Sequence, residues 1–197
     1  MPPLPIHFVQ SASRLHQLPE SRRQLAIIGR SNVGKSSLIN ALANRHKLAK
    51  TSKTPGATQL INVFEMAPEG SGNWLVDLPG YGFAKAPRRE IERWRAMIEE
   101  YLTTSETLEA VLVLIDGAVG PTPLDLQTID WLAHVDLPPR FVATKADKVR
   151  PSKSKARRTD LVTKLAVERS DVLWVSASSG LGIDELRREI VTYFAED

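Results

Sequence analysis

The chain contains no cysteine, which excludes both a disulfide framework and a thiolate metal site. Its four histidines, His7, His16, His46 and His134, are scattered rather than spaced as a ligand set. Long apolar runs are missing too. The longest, Ala110 to Ile115, falls far short of the roughly 18 residues of a membrane span and reads as a buried strand. The opening Met1-Pro2-Pro3-Leu4-Pro5 has neither the basic nor the apolar region of a signal peptide, and no repeat or low-complexity tract stands out. The expectation is a soluble, unexported, cytoplasmic protein with no membrane insertion.

What is present suits one domain with a sizeable core: 197 residues, 42% of them hydrophobic. Net charge is only +3, yet basic residues gather at Arg45, Lys47, Lys50 and Lys53, at Lys85, Arg88, Arg89, Arg93 and Arg95, and at Arg150, Lys153, Lys155, Arg157 and Arg158. Such clusters can meet a phosphate backbone or serve simply as solvated surface.

The most informative stretch is Gly29-Arg30-Ser31-Asn32-Val33-Gly34-Lys35-Ser36, a complete G-x-x-x-x-G-K-[ST] loop directly behind the apolar run Leu25 to Ile28. Glycines let backbone N–H groups wrap phosphates, Lys35 can reach the outer phosphates, and the Ser36 hydroxyl can ligate magnesium. A helix beginning at Lys35 would add its positive end, and Leu38, Ile39 and Leu42 give it an apolar face.

Six strand-like runs occur, Leu25 to Ile28, Leu60 to Phe64, Trp74 to Asp77, Ala110 to Ile115, Arg140 to Thr144 and Val172 to Val175. Helix-like segments separate most of them. Ile91, Trp94, Ile98, Tyr101 and Leu102 share one helical face, as do Ile183, Leu186, Ile190, Val191 and Phe194, with Asp184 placed to cap or begin that last helix. Strands alternating with helices predict an α/β fold with a mostly parallel six-stranded sheet flanked by helices, its ligands at the carboxyl ends of the strands. Residues 1–23 are expected to form an extension outside the sheet, and residues 24–197 the domain itself. Three stretches lack periodicity, Arg45 to Gln59, Gly80 to Pro87 and Pro151 to Ala156, and the first two follow phosphate-contacting positions where switches would serve.

Asp77-Leu78-Pro79-Gly80 places an acid at a strand's carboxyl end and a glycine three residues on. Asp77 can hold magnesium through water, while the Gly80 N–H can meet a γ-phosphate and lose it on hydrolysis. Thr144-Lys145-Ala146-Asp147 identifies the base: a carboxylate accepts from guanine N1–H and its amino group, and adenine offers no such pair. Asp147 thus argues for GTP, with the Lys145 stem along the base and Thr144 bracing nearby loops. Ser176-Ala177-Ser178 fits a backbone contact to the guanine oxygen. Of Thr51, Thr54 and Thr58, the last lies just ahead of a strand and is the favoured magnesium ligand.

These ordered motifs resemble the translation-factor class of P-loop GTPases. Gly29 to Ser37, Thr54-Pro55-Gly56 with Thr58-Gln59, Asp77 to Lys85, Trp94 with Glu100-Tyr101-Leu102, Gly120-Pro121-Thr122 with Leu124-Asp125, and Thr144 to Lys148 are similar, more particularly, to the EngB (YihA/YsxC) family. The resemblance implies a three-layer G domain that hydrolyses GTP to GDP, assists assembly of the large ribosomal subunit and is needed for normal septation and cell division. It implies nucleotide contacts from Gly29, Arg30, Ser31, Asn32, Val33, Gly34, Lys35, Ser36 and Ser37, from Gly56, Ala57, Thr58, Gln59 and Leu60, from Asp77, Leu78, Pro79 and Gly80, from Thr144, Lys145, Ala146 and Asp147, and from Ser176, Ala177 and Ser178. Ser36, Thr58 and Asp77 form the magnesium set. One departure is Ala57, where the family pattern has arginine.

Lys35, Thr58, Gly80 and Asn32 are the catalytic candidates. Ras-type enzymes orient the attacking water with a glutamine directly after D-x-x-G, and here that residue is Tyr81, so slow intrinsic hydrolysis is expected. Asn32 can help bind a potassium ion against the phosphates or make a hydrogen bond within the loop, and Arg30 is a second candidate for charge stabilisation or a surface residue. The expected partners are GTP or GDP and the large ribosomal subunit or its precursors, with the protein a monomer. Two other readings compete, a division-site GTP-binding module with little hydrolysis and a P-loop metabolic kinase or ATPase. The second would need a substrate pocket or lid that no appended segment clearly supplies.

Overall fold

A computed structural model describes residues 1–50, 60–66, 68–81, 88–134 and 139–195. Its strands are β1 (Ile6–Ala12), β2 (Arg23–Gly29), β3 (Ile61–Met66), β4 (Asn73–Asp77), β5 (Leu108–Asp116), β6 (Pro139–Thr144) and β7 (Val172–Trp174). The helices are α1 (Lys35–Ala43), α2 (Arg88–Thr104), α3 (Pro123–Leu132), α4 (Pro151–Leu165) and α5 (Ile183–Tyr193). One seven-stranded sheet runs in the order β1-β3-β4-β2-β5-β6-β7. Pairing is parallel from β4 through β7 and antiparallel where β3 meets β4 and β1 meets β3.

The alternation of side chains along each strand creates two cores. Leu25 and Ile27 of β2, Leu112 and Leu114 of β5 and Val142 of β6 face α1 and α5, where Leu38, Ile39, Leu42, Leu186 and Ile190 meet them. Ala26, Ile28, Val111, Val113 and Ile115 point the other way, toward Tyr101 and Leu102 of α2, Leu132 of α3 and Leu161 and Leu165 of α4. Because both faces are covered, the central strands read as continuous apolar runs, and each fully buried Leu or Ile contributes about 1.5–3 kcal/mol.

Three expectations are corrected. Residues 6–12 do not lie outside the sheet: they form its antiparallel edge strand against β3, with a register shift between Phe8 and Gln10. A buried acid supports this edge. Burial alone would raise the Glu65 carboxyl, but the N–H groups of Gly70 and Gly72 and the His7 ring, 3.0 Å away, outweigh it and hold the group below the usual carboxylate range. Pro151 to Ala156 is not aperiodic loop but the first half of α4, with Pro151 in the opening turn, where its missing N–H costs nothing. In α5, Val191 is exposed, and the face assigned to it holds Arg187 instead. Arg187 donates to Leu42 O (3.0 Å) and Ala41 O (2.8 Å), satisfying carbonyls at the end of α1.

Candidate nucleotide-binding site

Strands β2, β4, β5, β6 and β7 run parallel, so their carboxyl ends bring Gly29, Asp77, Asp116, Thr144 and Trp174 to one edge of the sheet. The sequence motifs follow directly on these ends.

The loop after β2 turns through Asn32 (φ 64°) and Gly34 (φ 111°), and the Val33 side chain is buried beneath it. The Gly34 conformation is one that side chains rarely adopt. It stands at the N-cap of α1, which has no side-chain cap and no acid in its first turn. The first N–H groups of a helix lack intrahelical partners, so at Lys35, Ser36 and Ser37 they remain available to an anion.

Lys35 is only 9% exposed, and burial pushes its ammonium below the usual lysine range against the opposing charge of Asp77. Asp77, 1% exposed, is pushed up by the same burial, with Lys35 and Asn62 opposing. Asn62 Nδ2 donates to Asp77 Oδ2 at 3.3 Å, while Asp77 Oδ1 is buried with no hydrogen-bond partner among the described residues. An unpaired buried carboxylate oxygen beside a phosphate loop is the donor a hard cation takes. The half-buried Ser36 hydroxyl lies on the adjoining first turn of α1, so the residues present fit magnesium.

Leu78, Pro79 and Gly80 are buried, and Leu78 N–H donates to Ile27 O. A Cβ at Gly80 would stand 3.0 Å from Lys35 Nζ and 3.1 Å from the Ser31 nitrogen, so a side chain there would crowd the phosphate loop. Ser31 N–H donates to Tyr81 O (2.9 Å), and the Tyr81 hydroxyl donates to Asp125 Oδ1 (2.8 Å). Arg30 Nε is buried without a partner among the described residues.

On the base side, Thr144 Oγ1 donates to Val33 O (2.7 Å) and Ile115 O (3.2 Å), bracing the phosphate loop as expected. Lys145 Nζ reaches Asn32 O (2.8 Å) and Asp116 Oδ2 (2.7 Å), which stretches its stem between the two loops. Ala146 N–H donates to Val175 O, joining this loop to the Ser176 turn. Ser176 is fully buried and donates to Asp147 Oδ1 at 2.6 Å, with Ser178 Oγ 3.1 Å from Ser176 Oγ. Ala177 is exposed beside them.

Gly56, Ala57, Thr58 and Gln59 lie outside the described residues, and Leu60 is exposed just before β3. Asp116, Asp125 and Asn62 were missed as site residues. Asp116 carries the same signal as Asp77, an acid at a strand's carboxyl end, and Asp125 stands three residues after Thr122 in a capping box.

A parallel sheet with a G-x-x-x-x-G-K-S loop, a D-x-x-G segment and a T-K-x-D loop on its carboxyl edge defines a P-loop GTPase. The family model described as "50S ribosome-binding GTPase" matches residues 24–145. A "Probable GTP-binding protein EngB" of Pelobacter propionicus is 44% identical over 93% of this chain and 91% of its own length. One from Vibrio vulnificus is 43% identical over 96% and 88%. Among solved structures, a probable GTP-binding protein engB superposes with a TM-score of 0.69 at 25% identity, covering 86% of this chain and 97% of that one. A variant Era of Aquifex aeolicus bound to GDP.AlF4- gives 0.67 at 26% identity, covering 88% and 57%. The chain belongs to the EngB family of GTP-binding proteins within the 50S ribosome-binding GTPases. Among the described residues, no helix is long and apolar enough to cross a membrane.

Proposed function

We propose that the protein binds GTP and GDP with magnesium at this edge, hydrolyses GTP slowly, and uses the two states as a cytoplasmic, monomeric switch in assembly of the large ribosomal subunit. The observation that carries the guanine reading is the Asp147 carboxylate held by Ser176, on the same sheet edge as Lys35 and Asp77. The Ser176 hydroxyl outweighs burial and keeps Asp147 below its ordinary range, so it is an acceptor at neutral pH. Ser36, Asp77 and Thr58 would hold the magnesium, which would neutralise phosphate charge.

The buried Lys35 ammonium and the α1 N–H groups bind the phosphates electrostatically, which is the main source of rate in phosphoryl transfer. Tyr81 supports a slow rate, because its hydroxyl is spent on Asp125 and orients no water. Basic side chains exposed on and before α4, Arg150, Lys153, Lys155 and Arg158, suit attraction to ribosomal RNA. The same reading includes a linked requirement for normal septation and cell division.

Cosedimentation with large-subunit precursors tests the partner and the switch together. Binding in the presence of a non-hydrolysable GTP analogue, lost in GDP and weakened by salt, is the expected result. Equal binding with both nucleotides would remove the switch.

A further inference from the structure

The Tyr81 side chain is tied down at a position where related enzymes need a free one. Its hydroxyl donates to Asp125 Oδ1 at 2.8 Å, and Asp125 is 1% exposed. The other oxygen of that carboxylate accepts from Thr122 N–H (2.8 Å) and Thr122 Oγ1 (2.7 Å), closing the capping box of α3. The acceptor is thus fixed to the start of a helix, and loss of the phenol would leave a buried carboxylate short of a donor. Burial, then the Asp125 charge, push the Tyr81 phenol far above its ordinary range, so it remains a donor at any physiological pH.

The backbone of the same residue is bound on its other side. Tyr81 O accepts from Ser31 N–H (2.9 Å) and Ser31 Oγ (3.3 Å), and Arg30 and Tyr81 form a parallel bridge. One residue earlier, Gly80 lies against the Ser31 nitrogen and Lys35 Nζ. Helix α3, Tyr81, Gly80 and the phosphate loop are therefore joined in series.

We propose that Tyr81 is a positioning residue. Its phenol, anchored on Asp125, holds the Gly80 peptide against the phosphate loop before nucleotide arrives and so preorganises the site for GTP over GDP. This rests on the guanine-nucleotide reading above. The preference arises because Gly80 N–H has a partner only when a γ-phosphate is present, and an N–H already in place pays no ordering entropy on binding.

The test is equilibrium titration of GDP and a non-hydrolysable GTP analogue against wild type, Tyr81→Phe, Asp125→Asn and the double variant. Tyr81→Phe should weaken the analogue about tenfold, the scale of one charge-assisted hydrogen bond, and leave GDP unchanged. The double variant should add little to Tyr81→Phe, since both act through one bond. Equal weakening of both nucleotides, or no change in either, overturns the proposal. Amide exchange on wild type gives a second readout that needs no variant. The Ser31 N–H should be protected without nucleotide, and protection that appears only with the GTP analogue overturns the proposal. Failure of wild type to bind either guanine nucleotide removes this inference and the functional reading together, whereas binding with an unaltered preference in Tyr81→Phe removes this inference alone.

Discussion

Ser176 Oγ donates to Asp147 Oδ1 at 2.6 Å, and this bond lowers the pKa and fixes the aim of the carboxylate proposed to read the base. The Ser176 hydroxyl is the largest influence on Asp147, exceeding the opposing effect of burial. A depressed folded pKa contributes stability that is fully present above the unfolded value of 3.8 and is lost as pH falls through the folded one. Ser176→Ala should therefore raise the Asp147 pKa and move acid unfolding, followed by circular dichroism below about pH 4, to higher pH. At neutral pH it should also weaken GTP about tenfold through lost orientation. An unchanged acid transition would separate the two residues.

Asp77 presents a buried oxygen with no partner among the described residues, and a bound cation would supply one. Thermal melts with saturating GDP should rise on adding magnesium, since a ligand at about a hundred times its dissociation constant stabilises by about 2.7 kcal/mol. In Asp77→Asn most of the gap between magnesium and EDTA should close. A full magnesium shift in that variant would place the cation elsewhere.

Arg187 joins α5 to the end of α1 through Leu42 O and Ala41 O while itself 8% exposed. Arg187→Met keeps much of the packing volume and leaves Leu42 O and Ala41 O their backbone donors, Leu4 N–H and Asn44 N–H, but it removes two charge-assisted hydrogen bonds, at a cost of about 1.5–3 kcal/mol read from the urea midpoint. Nucleotide affinity should change little, because the phosphate loop meets the opposite end of α1.

Asn32 has its carbonyl held by Lys145 Nζ at 2.8 Å, and its exposed side chain makes no hydrogen bond among the described residues. That leaves the amide oxygen available to a monovalent cation. Hydrolysis should be faster in potassium than in sodium chloride at equal ionic strength, and Asn32→Ala should abolish the difference. Identical wild-type rates in the two salts would contradict a cation role.

The sheet was legible where burial on both faces makes a strand continuously apolar, as in Ala110 to Ile115, and each of the six strands read from sequence lies within two residues of its observed bounds. β1 was not, because its burial alternates irregularly around Phe8 to Gln10 and carries no clean period of two. The start of α4 was hidden for a related reason. Pro151 to Arg158 contains no large apolar residue, and the helix shows its buried face only at Leu161 and Leu165. Motif spacing singled out Lys35, Asp77 and Asp147 as candidates, since phosphate and guanine chemistry constrain those residue types, and the fold brings them to one edge of the sheet. Asp125 is visible locally as the capping-box partner of Thr122, but its bond to Tyr81 and the bonds of Arg187 to α1 reach residues distant in sequence, and no local pattern reveals such partners.

The most direct test of the account is titration of wild type and Asp147→Asn with GTP and with ATP in magnesium. Wild type should bind GTP strongly and ATP at least a hundredfold more weakly, since a site built to accept two guanine donors leaves its carboxylate short of them against adenine. Asp147→Asn should lose most of that preference. Comparable affinity of wild type for ATP, or full selectivity in Asp147→Asn, would contradict it.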